Sequence, residues 1–129
     1  MMMYNNKVKE FFFHPNHVGV VNLKTPFSAH YRSSQTEKNF LIDLYLQCTK
    51  EKRISRACFK AVGNPYVIAA LEWLCRQVEG CELDKVPRLD YKILIKELEI
   101  PNAQYPLAVQ IEGVYKELLV LMKRQFEGA

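Results

Sequence analysis

Thiols and imidazoles are the side chains of this sequence best suited to chemistry. The four cysteines are Cys48, Cys58, Cys75 and Cys81, and no two form the Cys-x-x-Cys pair that clamps a metal or cycles a disulfide. Cys58 sits between Arg56 and Lys60 on an alternating stretch, so all three share one face. Nearby cations lower a thiol's pKa, which makes Cys58 a candidate reactive thiol or sulfur acceptor, against the plainer reading of a half-buried strand cysteine. Cys75 falls on an apolar helical stripe and reads as core, and Cys48 ends a strand. His14 and His17 are three residues apart, with His30 in the next strand, which permits either metal ligation or hydrogen bonding within a loop. The sequence contains no Gly-rich phosphate loop, nucleophile elbow or paired-carboxylate motif. No enzymatic activity is therefore expected.

The elements that position these residues follow from hydrophobic period. Met3 to Phe13 is expected to be a short helix docked through Tyr4, Val8, Phe11 and Phe12. His14 to Gly19 reads as a loop, because Pro15 disfavours helix at His14. Phe27 to Tyr31 reads as a strand, and Ser33 to Lys38 as a polar turn. In Phe40–Leu46, residues Phe40, Ile42, Leu44 and Leu46 form an apolar face, with Leu41, Asp43 and Tyr45 opposite. Ile54 to Val62 alternates again, with Ser55, Ala57, Phe59 and Ala61 on one face and Ile54, Arg56, Cys58, Lys60 and Val62 on the other. A charged turn between these two runs predicts an antiparallel hairpin.

The period then changes to helical. Asn64-Pro65 supplies an N-cap and a first-turn proline, Val67, Leu71, Leu74, Cys75 and Val78 recur at helical spacing, and Gly80 closes the run. Trp73 lies off that stripe and is either a partner anchor or a lid on the core. Leu83 to Leu98 divides into two helical pieces near Pro87–Asp90, with Asp90 capping the second. From Leu107 to Phe126 runs a long amphipathic helix facing inward through Ile111, Val114, Leu118, Leu121 and Met122. The expected fold is α+β: a three-stranded antiparallel sheet with helices packed on one face and a long C-terminal helix, in a single domain over residues 1–129.

Composition narrows the function classes. Half of the 129 residues are hydrophobic and a quarter charged, which fits a folded domain with its own core. The net charge of +4 is dispersed rather than gathered into a stripe with aromatic platforms, so no nucleic-acid binding is expected. An acidic protein partner is compatible with this charge. Asn5, Asn6, Lys7, Lys9 and Glu10 interrupt the start, which cannot be the apolar centre of a signal peptide, and no apolar run reaches the ~20 residues of a membrane span. A reducing cytoplasm with free thiols, and no membrane association, is the expectation.

Three stretches, in order and at matching spacing, resemble the NifU/IscU-type iron–sulfur cluster scaffold family. Phe12-Phe13-His14-Pro15-Asn16-His17-Val18-Gly19 is similar to that family's early "tyrosine, two variable residues, Pro-Arg-Asn-Val-Gly" loop. Ala57-Cys58-Phe59-Lys60-Ala61-Val62-Gly63-Asn64, leading into Ile68-Ala69-Ala70, is similar to its "Phe-Lys, two residues, Gly-Cys" strand end and the helix after it. Glu97-Leu98-Glu99-Ile100-Pro101 is similar to its Leu-Pro turn before the final helix. The likeness runs from about Tyr4 to Gln125. It implies the α+β fold above and a role in holding a nascent 2Fe–2S cluster, iron or zinc on three cysteine thiolates. Sulfur would come from a cysteine desulfurase, and chaperones would help pass the cluster on.

The three ligand positions are changed here. The family's first cysteine and the aspartate after it correspond to Glu37 and Asn39, the second cysteine to Asn64, and the third, with its preceding histidine, to Leu107 and Pro106. Clusters require soft anionic sulfur, and a carboxylate, an amide and an alkyl group do not supply it. Asn64-Pro65 instead supplies what a helix start requires. The family's Leu-Pro-Pro-Val-Lys chaperone turn reads Ile100-Pro101-Asn102-Ala103-Gln104, without the second proline or the lysine.

The expectation is thus a degenerate member of that family, with no metal or cofactor at the family site. It would act as a binding or regulatory partner of a cysteine desulfurase or a true scaffold, as a monomer or weak dimer. Its binding surface would be Glu37, Lys38, Asn39, Asn64, Pro65, Tyr105 and Pro106. Two alternatives stand beside it. One is an unorthodox metal or sulfur carrier using Cys58, Glu37 or His14 and His17. The other is an interaction module outside iron–sulfur metabolism, with a pocket lined by Tyr31, Tyr66 and Tyr105.

Overall fold

Three strands of alternating apolar residues pair into one antiparallel sheet, in the order β1-β2-β3. They are β1 (Ser28–Gln35), β2 (Phe40–Cys48) and β3 (Ile54–Val62). The computed structural model describes residues 4–35 and 40–127. The polar turn carrying Glu37, Lys38 and Asn39 lies outside the described residues. β1 is longer than its apolar alternation predicts: Ser33, Ser34 and Gln35 pair with Ile42, Leu41 and Phe40. Those polar residues read as turn in the sequence, yet an edge strand tolerates them, and Ser33 Oγ accepts a 2.8 Å hydrogen bond from Gln110 Nε2 of the last helix.

On β2, Ile42, Leu44 and Leu46 are fully buried on the expected apolar face. On β3 the simple alternation fails. Gln47 faces Arg56 while Cys48 faces Ile54, which leaves Ser55 as the extra residue of a β-bulge. The bulge turns Ile54 inward to join Ala57, Phe59 and Ala61 in the core, and Ser55 outward, where its Oγ bonds Gln47 O at 3.1 Å. The expectation that grouped Ser55 with Ala57, Phe59 and Ala61, and Ile54 on the other face, is therefore corrected by one inserted residue.

The helices are α1 (Asn6–Phe13), α2 (Pro65–Val78), α3 (Tyr91–Leu98) and α4 (Tyr105–Glu127). Asn5 caps α1 through Val8 N, and Asp90 caps α3 through Ile93 N. Of the two helical pieces expected between Leu83 and Leu98, the first is only a 3-10 turn, Leu83–Lys85. α1 docks through Tyr4, Val8 and Phe11, whereas Phe12 packs edge-to-face on the exposed Phe13, 5.0 Å between ring centres. α2 lies between α1 and β3, so it is buried on nearly every side. Trp73 is accordingly buried in the core and is not a surface anchor. α4 packs along β1 and β2 through Leu107, Ala108, Ile111, Val114, Tyr115, Leu118 and Met122. Among the described residues no helix is long and apolar enough to cross a membrane.

Candidate functional site

The loop after α1 is tied down by a carboxylate buried inside a helix. Glu72 of α2 is fully buried. One of its oxygens accepts the backbone N–H groups of Asn16 and His17, each at 2.8 Å, and the other meets His17 Nδ1 at 2.6 Å and Arg76 Nε at 2.7 Å. Glu79 meets His17 Nε2 at 3.4 Å and accepts Ala57 N at 2.9 Å. Held in this way, the loop runs along the outer edge of β3, where Phe59 N donates to His17 O and Gly19 N to Phe59 O. The sequence signal for this arrangement is Glu72 itself, the one charged residue in the otherwise uncharged run from Tyr66 to Cys75.

The three histidines consequently do not converge. His14 follows α1, and its carbonyl faces Arg76. His17 is held by Glu72. His30 lies on the open face of the sheet, where its Nε2 meets Asp43 Oδ1 at 2.6 Å and its ring stacks on Tyr45 at 4.5 Å. Arg32 grips the same carboxylate through Nε at 2.8 Å and Nη2 at 3.0 Å, and it holds the Asp43 carboxyl below its usual pKa against the opposing effect of burial. Among the described residues no group of three or more His, Cys, Asp or Glu side chains is placed to hold a metal ion.

Nor does the geometry activate Cys58. Its thiol is 2 % exposed, and burial raises its pKa. Arg56 pulls the other way but is outweighed, and Glu79 reinforces the rise. The lowered pKa expected from its cationic neighbours is thereby corrected: Arg56 and Lys60 extend into solvent, while the sulfur does not. Cys48 is pushed up to about 11 by burial, and Cys75 rises for the same reason.

The described family-equivalent positions, Asn64, Pro106 and Leu107, meet at the other end of the sheet, where β3 passes into α2 and α4 begins. A cleft of about 580 Å3 lies there, lined by Phe40, Gly63, Asn64, Val67, Ala103, Gln104, Pro106, Leu107, Val109 and Gln110. Gly63 makes the tight strand-to-helix passage possible, since a Cβ at this position would come 2.7 Å from Val67 Cγ2. Asn64 then caps α2, its Oδ1 accepting Tyr66 N at 2.9 Å and Val67 N at 3.3 Å, with Pro65 in the first turn. Its Nδ2 donates to Gln104 Oε1 at 2.8 Å, linking the start of α2 to the 3-10 turn Asn102–Gln104 ahead of α4.

Asn64, Pro106 and Leu107 are thus brought together, with Pro65 and Tyr105 next to them in sequence. The three tyrosines do not line this cleft. Tyr66 is buried and packs on Tyr4, 5.1 Å between ring centres, Tyr31 packs against the core, and Tyr105 lies outside the lining. Sequence reasoning missed Phe40, Val67, Gln104, Val109 and Gln110, which only the folding of β2 and α4 toward α2 brings together.

The donor set does not fit a cluster or a soft metal. Asn64 Oδ1 is engaged by two backbone N–H groups, Leu107 is a buried alkyl group and Pro106 offers no ligand atom; none of the described lining residues carries a thiol, imidazole or carboxylate.

Comparison with known proteins bears on the fold. A protein described as an iron–sulfur cluster assembly scaffold for the SUF system, from Fervidobacterium islandicum, superposes with a TM-score of 0.63 at 11 % identity, covering 92 % of this chain and 94 % of its own. The N-terminal part of a NifU-like protein from Brucella abortus superposes with a TM-score of 0.59 at 17 % identity, covering 96 % and 94 %. At these identities the likeness is one of fold. Among curated proteins, none matches this sequence. The model of the NifU-like N-terminal domain matches residues 3–121, nearly the whole chain, and the chain therefore belongs to the NifU-like N-terminal domain family.

Proposed function

We propose that this chain is a non-ligating member of the family that serves iron–sulfur cluster biogenesis as a binding or regulatory partner, not as an enzyme and not as a cluster carrier. One observation carries the reading: at the end of the sheet where relatives are expected to gather thiolates, the described residues present a cleft of amides and alkyl groups whose central amide caps a helix. The fold that a desulfurase or a scaffold would recognise is retained, while the donors that would hold the cargo are replaced. The partner-facing surface is centred on Asn64, Pro65, Tyr105 and Pro106. Glu37, Lys38 and Asn39 belong to the same surface by the family resemblance.

Two measurements test this. Co-purification with a cysteine desulfurase and with a cysteine-bearing scaffold from the native host is expected to retain at least one of them; retention of neither removes the partner role. Anaerobic reconstitution with iron and sulfide is expected to leave a colourless, iron-free protein. A stoichiometric visible chromophore would overturn the non-ligating reading.

A further inference from the structure

Basic residues are dispersed along this chain, but acidic ones are not. None occurs between Glu10 and Glu37, and none between Glu51 and Glu72. Those two stretches contain β1, β3 and the loop from His14 to Phe27, which together supply most of the side that the helices leave uncovered. β2 adds Asp43 alone. Because Ile42, Leu44 and Leu46 face the helices, the other face of the sheet sets Asp43 between its cross-strand partners Arg32 and Lys60, and Gln47 between Ser28 and Arg56. The single carboxylate is already answered: Asp43 is buried and gripped by Arg32 and His30. Arg32 meanwhile keeps 60 % of its side chain exposed, and Arg56 and Lys60 are exposed as well. Glu37 and Lys38, between β1 and β2, carry opposite charges and do not alter this balance.

The loop enlarges the same face. After Gly19 the chain leaves the outer edge of β3, and at Phe27, whose carbonyl accepts Cys48 N, it has reached the far side of β2. α2 and α4 occupy the helix side, so residues 20–26 cross the open one. Val21 and Cys58 are buried there, apart from the main core. Val20, Leu23 and Lys24 are exposed on top. Exposed alkyl groups set among cations are the mixture that a protein interface covers, and a surface of one sign of charge draws in a partner of the other. The aromatic rings here are engaged, Tyr45 with His30 and Phe27 with Phe126, whereas a bilayer or a nucleic-acid base would require a free ring to insert or stack.

We propose that the open face of the sheet docks a carboxylate-bearing surface of a partner protein, with Lys24, Arg32, Arg56 and Lys60 meeting the acids and Val20 and Leu23 the apolar residues among them. This surface is separate from the cleft between α2 and α4, and it does not rest on the iron–sulfur reading above.

Titration of the full chain with defined probes decides this: a labelled peptide alternating Glu with Leu, its counterpart with Lys for Glu, phosphatidylserine vesicles and duplex DNA, each at low and high salt. The Glu peptide is expected to bind at low salt, to be released as salt rises, and to shift the NMR amide signals of Arg32, Arg56 and Lys60. Lys24→Glu and Arg56→Glu change exposed residues and should leave the thermal midpoint unaltered. Each is expected to weaken the Glu peptide, and the two together by about tenfold or more. Lys92→Glu, at an exposed position of α3, should leave binding as it was. If Arg56→Glu disturbs the fold, Lys24→Glu in the loop carries the decision. The docking role is refuted if the Glu peptide does not bind, if the Lys peptide binds equally well, or if the shifted signals gather away from the sheet. It is refuted too if Lys92→Glu weakens binding as much as Arg56→Glu, which would make net charge the cause. Tighter binding of the vesicles or the DNA than of the Glu peptide would assign the face to lipid or nucleic acid and overturn the protein partner.

Discussion

Replacing Asn64 tests directly whether this position has moved from ligation to helix capping. Asn64→Ala removes the oxygen that receives Tyr66 N and Val67 N, and with it the link to Gln104. Loss of an N-cap of this type costs about 1 kcal/mol. The Gln104 bond is exposed, at the weak end of the range, and contributes about 0.5 kcal/mol. The expected loss is thus about 1.5 kcal/mol, which for a chain of this length lowers the thermal midpoint by about 6 °C. Asn64→Asp keeps the capping oxygen and forfeits only the Gln104 link, so it should lose about 0.5 kcal/mol. Asn64→Cys brings back the family's ligand type, but a thiol is a weak acceptor, and the variant should fall close to Asn64→Ala. Urea and thermal unfolding followed by circular dichroism measure all three, and a double-mutant cycle with Gln104→Ala isolates the link. If Asn64→Cys is as stable as the parent, capping does not explain the residue, and the argument that stability has replaced chemistry here is refuted.

The buried latch should be costlier to disturb. Glu72→Gln is expected to lose about 2–4 kcal/mol, because four donors meet this fully buried carboxylate, and to speed hydrogen exchange at Asn16 and His17; Glu117→Gln, at an exposed position, should stay within about 0.5 kcal/mol. Acid should destabilise the fold with a definite sign. Asp43, held down mainly by Arg32, and Glu112, held down mainly by the Tyr91 backbone N–H, both have folded pKa values below their unfolded ones. Their stabilisation is complete above the unfolded value, about 4 for these groups, and disappears as pH falls through the folded values. Asp43→Asn should flatten that limb of a stability-versus-pH curve, and an unaltered limb would remove Asp43 as a cause. Iodoacetamide at neutral pH, read by mass spectrometry, should label the half-buried Cys81 first and reach Cys48, Cys58 and Cys75 only on unfolding. Early labelling of Cys58 would restore it as a reactive thiol.

Period and punctuation carried most of the fold. Asn64-Pro65, Asp90 and the stripe from Leu107 to Met122 place α2, α3 and α4 to within a residue or two, since caps and apolar spacing are local properties. Pairing is not local. The bulge at Ser55 and the extension of β1 through Ser33–Gln35 depend on what lies across the sheet, which explains why alternation misassigned both. The site shows the same division. Asn64, Pro106 and Leu107 could be located through the family resemblance, near the starts of α2 and α4. Gln104 and Gln110 acquire meaning only from the partners that occupy one half of each amide, Asn64 and Ser33. Cys58 stayed open between a reactive thiol and a half-buried strand cysteine because sequence shows which charges are neighbours but not which of them water reaches.

The distribution of sulfur has a consequence for oxygen. None of the four cysteines lines the cleft; three are buried and Cys81 lies just beyond the far end of α2. Dioxygen, peroxide or a swing in glutathione poise therefore finds no sulfur on the described lining to modify. Any contact made on the described lining is therefore independent of the oxidation state of a thiol.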